Sequence, residues 1–159
     1  MSFNFHIELI QDGRAGKLYS FFINEEEHSE ITKFLNNQEY IAYRSGSHYK
    51  GITAKLKNLV KNYGFEENKL EPIGHVGDGK FELKYGHLRL YCFWLGKGIA
   101  VFDSGGIKPP GTRTYQDDEI LSAHVENLEF VRIKLDERLN DSVFVNEECY
   151  LEGNLTFED

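Results

Sequence analysis

The sequence predicts an α+β domain in which a small antiparallel sheet packs against an N-terminal helical pair and a C-terminal helix. Short apolar segments between Phe81 and Phe102 are split only by Gly86-His87 and Gly96-Lys97-Gly98, turns that permit antiparallel neighbours and nothing longer. Helix-period stretches lie on both sides of that meander. The chain has 159 residues and 18.4 kDa, a length suited to a single domain over 1–159, with an acidic tail from about residue 139. Apolar residues make up 40%, including 12 Phe and 9 Tyr, which excludes wholesale disorder because burial of that surface offsets the entropy of ordering the chain.

Phe3 to Leu9 alternates apolar and polar residues, so Phe3, Phe5, Ile7 and Leu9 share one face of a half-buried strand. A turn-rich stretch from Gln11 to Gly16 and an extended run from Leu18 to Ile23 complete a hairpin. Asn24 stands where it can cap a helix, with Glu27 placed to reach back, and that helix runs to about Leu35. Ile52, Leu56, Leu59, Val60 and Tyr63 write a second helix ending at Gly64, with Lys50, Lys57 and Lys61 on its outer face. After the meander, Asp103 to Thr112 reads as a loop because of its two prolines and three glycines. Leu121, His124, Leu128, Val131 and Leu135 share a helix face, although Phe130 to Leu135 also alternates like a strand. The last residues suit a strand or an ordered tail.

No apolar run approaches the roughly 18 residues that a membrane helix needs, and Met1-Ser2-Phe3-Asn4 lacks the pattern of a signal peptide, so the expectation is a cytoplasmic protein with no membrane partner. Cys92 and Cys149 are too few for a disulfide framework or a four-thiolate site, and the six histidines fall in no metal-ligand spacing, so neither metal nor cofactor is expected. The glycines between Gly105 and Thr112 lack the spacing of a nucleotide-binding loop, and no serine sits in a nucleophile elbow.

Net charge is −8, which taken alone argues against a phosphate-rich partner. The charge is divided, however. Residues 41–115 hold twelve Lys and Arg against six Asp and Glu, a surplus of +6, while the remainder carries −14. Strand alternation sends Arg89, Tyr91 and Phe93 to one face, and a guanidinium in mid-strand needs a partner. A carboxylate is one candidate and a phosphate is the other. Lys84 lies one strand earlier, and Lys108 and Arg113 flank the loop after the third strand, so a meander can bring all four cations to one end of the sheet.

The run Gly79 to Lys84, then Arg89 to Trp94, then Ile99 to Phe102, resembles the core of RelE/ParE/HigB-type toxins, the partners of bacterial antitoxins. Lys108 in the loop and Gln116 to Ala123 at an acidic helix start continue the resemblance, which covers about two-thirds of the chain. It implies a RelE-like fold, a cognate antitoxin as partner, and metal-independent endoribonuclease activity on messenger RNA at the ribosome, the 2′-hydroxyl attacking the adjacent phosphate. In that chemistry Arg89 and Arg113 would grip phosphate, Lys84 and Lys108 would supply charge or carry a proton, and His87 or Tyr91 would take the remaining proton-transfer role. The alternatives are a catalytically inactive RelE-like interaction module, whose acidic segment from Asp117 onward binds a basic partner or covers its own basic face, and a topoisomerase-inhibiting toxin.

Overall fold

The computed structural model describes residues 2–73, 79–111 and 114–158. Strands β1 (Phe5–Asp12) and β2 (Lys17–Ile23) form the N-terminal hairpin, followed by helices α1 (Glu30–Leu35), α2 (Gln38–Ala42) and α3 (Ser47–Asn58). Then come β3 (Glu71–Pro72), β4 (Lys80–Tyr85), β5 (Leu88–Gly96), β6 (Ile99–Ile107), helix α4 (Glu119–Arg138) and the short strands β7 (Val143–Val145), β8 (Leu151–Gly153) and β9 (Thr156–Phe157). The main sheet runs β3-β4-β5-β6-β2-β1-β9, and every pairing described is antiparallel except β2 with β6.

The α+β class holds, but at seven strands the sheet is larger than the small one expected. The N-terminal hairpin docks β2 alongside β6 and extends the meander instead of standing apart, and β9 adds a further strand outside β1. Alternation along β5 sorts the two cores. Leu88, Leu90 and Cys92 meet Ile52 and Leu56 of α3 on one face, while Tyr91 and Phe93 meet Leu121, Val125 and Leu128 of α4 on the other. Helix α4 is continuous through the segment that also alternates like a strand, because Leu121, Leu128, Val131 and Leu135 are fully buried at helical spacing. Lys80 of β4 and Arg132 clamp Glu129 at 2.9 and 2.7 Å, and the Arg132 hydrogen bonds, followed by Lys80, hold the Glu129 carboxyl down at about 2.

Three local expectations are corrected. Asn24 does not cap α1. Its backbone is left-handed at φ 53°, residues after it turn, and Ser29 caps instead, its Oγ accepting from the Thr32 N–H at 3.2 Å. The segment from Asp103 to Ile107 is not loop but the second half of β6. Its glycines serve close packing: a Cβ on Gly105 would lie 1.8 Å from the Arg89 carbonyl oxygen, so only glycine lets β6 approach β5 at the irregularity between Leu90 and Cys92. Leu9, placed on the apolar face by alternation, sits at a register shift in β1 and is exposed.

The parallel ladder between β2 and β6 ends at Ser20 and Phe102, and the start of α1 fills the gap. Ser20 is fully buried there; its Oγ donates to the Phe102 carbonyl at 2.7 Å and accepts from the Ile31 N–H at 3.1 Å. The C-terminal residues are built into the structure. The β7–β8 hairpin inserts Val143 and Leu151 into the α4-side core, the Leu151 N–H donates to the Tyr19 hydroxyl at 2.9 Å, and Arg138 lies 3.9 Å over the Phe157 ring. Among the described residues no helix is long and apolar enough to cross a membrane.

Candidate functional site

The β4–β5–β6 meander gathers charge at one end. Lys84 and Arg89 are direct cross-strand partners, Arg89 faces Gly106 on the other side, and the Lys108 N–H donates to the His87 carbonyl at 2.6 Å. Two residues before Lys84, and so on the same face, Glu82 pairs with Tyr91. Burial pushes the Glu82 carboxyl up, against the pull of the nearby Arg89, Lys84 and Lys108 charges. One partly buried carboxylate therefore sits within the field of three of the predicted cations. Arg113 lies outside the described residues.

These cations are also engaged. Arg89 donates through Nη1 to the Gly86 and Leu88 carbonyls at 2.7 and 2.9 Å, and its Nε lies 4.0 Å from Glu82 Oε1. Lys84 pairs with Glu71 of β3 at 2.8 Å, at a half-exposed position where ion exchange with solvent or ligand is cheap. Two donors on this face are sealed from solvent without hydrogen-bond partners, the Arg89 Nε and the Tyr91 hydroxyl, two positions apart on β5. Buried orphan donors mark a place where an acceptor is wanted.

His87 and Tyr91 are placed differently from the cations. The Tyr91 side chain is fully buried, and burial, followed by the Glu82 charge, raises its pKa, so its hydroxyl stays protonated beneath the site and does not meet solvent. His87 is half-buried in the β4–β5 turn; its Nδ1 is 2.8 Å from the Tyr43 hydroxyl, and its backbone N–H donates to His48 Nδ1 at 3.1 Å. That aromatic knot holds the turn that carries Gly86, and hence one of the carbonyls that fix Arg89.

Glu82 is the member that sequence reasoning missed. The signal was present, since a residue two before Lys84 on a strand must share its face, but a lone acid among cations reads as a neutralising partner until its burial is known. A second group also escaped notice: among the described residues, Glu30, Asp103 and His124 are the one set of His, Cys, Asp and Glu side chains close enough to share an ion, and they lie at the junction of α1, β6 and α4. Comparison with protein-family models, curated proteins and solved structures finds no match.

Proposed function

We propose that the chain is a metal-independent endoribonuclease of the RelE/ParE/HigB toxin type, RelE-like in fold, cleaving messenger RNA on the ribosome and held in check by a cognate antitoxin. The observation that supports this reading best is partly buried Glu82 beside Arg89, within the field of Lys84 and Lys108, at one end of the meander. Arg89, fixed by two turn carbonyls, is preorganised to stabilise negative charge on a phosphate. Lys84 exchanges Glu71 for a phosphate oxygen. Glu82 takes the 2′-hydroxyl proton as the 2′-oxygen bonds to phosphorus, and a cation-borne proton from Lys108 goes to the departing 5′-oxygen, leaving a cyclic phosphate and a free 5′-hydroxyl. Tyr91 positions Glu82 and Arg89 from below and does not touch the substrate.

The test is induction in a bacterium with transcript mapping. Growth arrest accompanied by new 5′-hydroxyl ends, both abolished by Arg89→Ala, is the expected result. Unimpaired growth that is identical for wild type and Arg89→Ala removes the enzyme reading. It would leave the non-catalytic interaction module, which one observation favours: Lys84 and Arg89 already have partners within the chain. Arrest with broken DNA and intact transcripts would instead indicate topoisomerase inhibition.

A further inference from the structure

The junction of α1, β6 and α4 holds an ionisable group that the proposed nuclease chemistry does not use. Glu30 opens α1 at 2% exposure, Asp103 lies on β6 at 0%, and His124 occupies the second turn of α4. His124 Nδ1 stands 3.1 Å from Asp103 Oδ1 and 4.0 Å from Glu30 Oε1, and one ligand atom from each residue lies within 4.8 Å of the others. The residues come from three elements far apart in sequence, so no local motif announces them.

We propose that Glu30, Asp103 and His124 form a binding site for a divalent transition-metal ion, Zn²⁺ or Mn²⁺, that ties α1 and α4 to the centre of β6. A carboxylate or imidazole ligand sits about 2.0–2.2 Å from such an ion, which sets neighbouring ligand atoms roughly 3–4 Å apart. The observed separations need only a small contraction. The ligand set, one imidazole with two carboxylates, suits Zn²⁺ and Mn²⁺ better than a purely oxygen-seeking cation.

A second observation points the same way. Asp103 Oδ2 is sealed inside the protein without a hydrogen-bond partner, while Oδ1 accepts from both the Ser104 N–H and the His124 side chain. A protonated imidazole would satisfy Oδ1 alone and leave Oδ2 orphaned, a costly state for a buried carboxylate. An ion can take both oxygens after a rotation about the terminal torsion, which is soft. Lys33 pairs with Glu30 and with Glu26 at 2.8 Å, so its ammonium balances part of the charge but is shared with a carboxylate outside the group. His124 is the partly exposed member and supplies the entry path.

The experiment is calorimetric titration of the chelator-treated full-length protein with Zn²⁺ and with Mn²⁺ alone, alongside thermal denaturation with and without each ion. One saturable site per chain is expected, with a higher melting temperature in the presence of metal. Asp103→Asn and His124→Gln should each weaken binding about tenfold or more. If Asp103→Asn fails to fold, His124→Gln decides, since that side chain reaches the surface and its loss leaves the core intact. Wild-type protein that shows no saturable binding, or a His124→Gln variant that binds as tightly as wild type, overturns the site. No RNA enters this measurement, so its failure is distinguishable from failure of the nuclease reading.

Discussion

At the scale of single residues, the candidate site turns on how a partly buried carboxylate behaves on a sheet within the field of three cations. Desolvation dominates at Glu82, and the folded carboxyl therefore holds its proton to higher pH than an ordinary Glu. If Glu82 is the base, cleavage must rise with pH through that elevated pKa, because only the ionised form accepts the 2′-hydroxyl proton. Glu82→Gln should lower cleavage about 100-fold and abolish that acid-side limb, with RNA binding retained. Single-turnover cleavage of a short RNA across pH, paired with a filter-binding measurement, checks both parts. An unchanged pH profile in Glu82→Gln would show that the carboxylate only neutralises its neighbours. The sequence carried the cations of this site but not their acid: Lys84, Arg89 and Lys108 stand out as charges in an apolar meander, whereas the role of Glu82 depends on burial, which no single-strand pattern reports.

At the scale of elements, periodicity was legible wherever one face of an element is buried and the other wet. The facing of Arg89, Tyr91 and Phe93 on β5 and the buried stripe of α4 follow from alternation and from three- and four-residue spacing. Composition misled where glycine serves contact between strands and not turning. Gly105 and Gly106 read as loop residues, yet both sit in the ladder opposite Leu90 and Arg89. Gly105→Ala should destabilise the protein by about 3 kcal/mol, since the new methyl collides with a backbone oxygen that has no rotamer to escape through. The same push displaces Arg89, whose carbonyl is the atom struck, so RNA affinity should fall along with the urea midpoint. Gly111→Ala is the control: its Cβ meets nothing within 4 Å, and the substitution tests backbone strain at φ 89° without touching β5.

At the scale of the whole molecule, the sequence shows the acidic surplus of the C-terminal region but not where the sheet puts it. Pairing between segments distant in sequence, β2 with β6 and β1 with β9, decides that, and neither has a local signature. The strand order sets β9 at one edge and β3–β4 at the other, so Thr156 and Phe157 lie across the sheet from Lys84 and Arg89, and β7 and β8 pair with each other outside that sheet. That edge placement keeps β9 off the basic end, while α4, earlier in the acidic segment, pairs Glu129 with Lys80 of β4. Val143, Leu151 and Phe157 are instead buried against α4 and β1, with Tyr19 capped by the Leu151 N–H. Truncation after Asp141 removes three buried apolar side chains and uncovers the edge of β1, a loss of about 5 kcal/mol on the scale of 1.5–3 kcal/mol per buried side chain. The melting temperature should fall steeply, while the salt dependence of RNA binding, measured at a temperature where the truncated chain is still folded, should stay as in the full chain, because the cations at the far edge keep their neighbours. A truncated protein of unaltered melting temperature that gains RNA affinity would mean that the C-terminal strands shield the basic end after all, and that the edge-to-edge separation does not govern access to it.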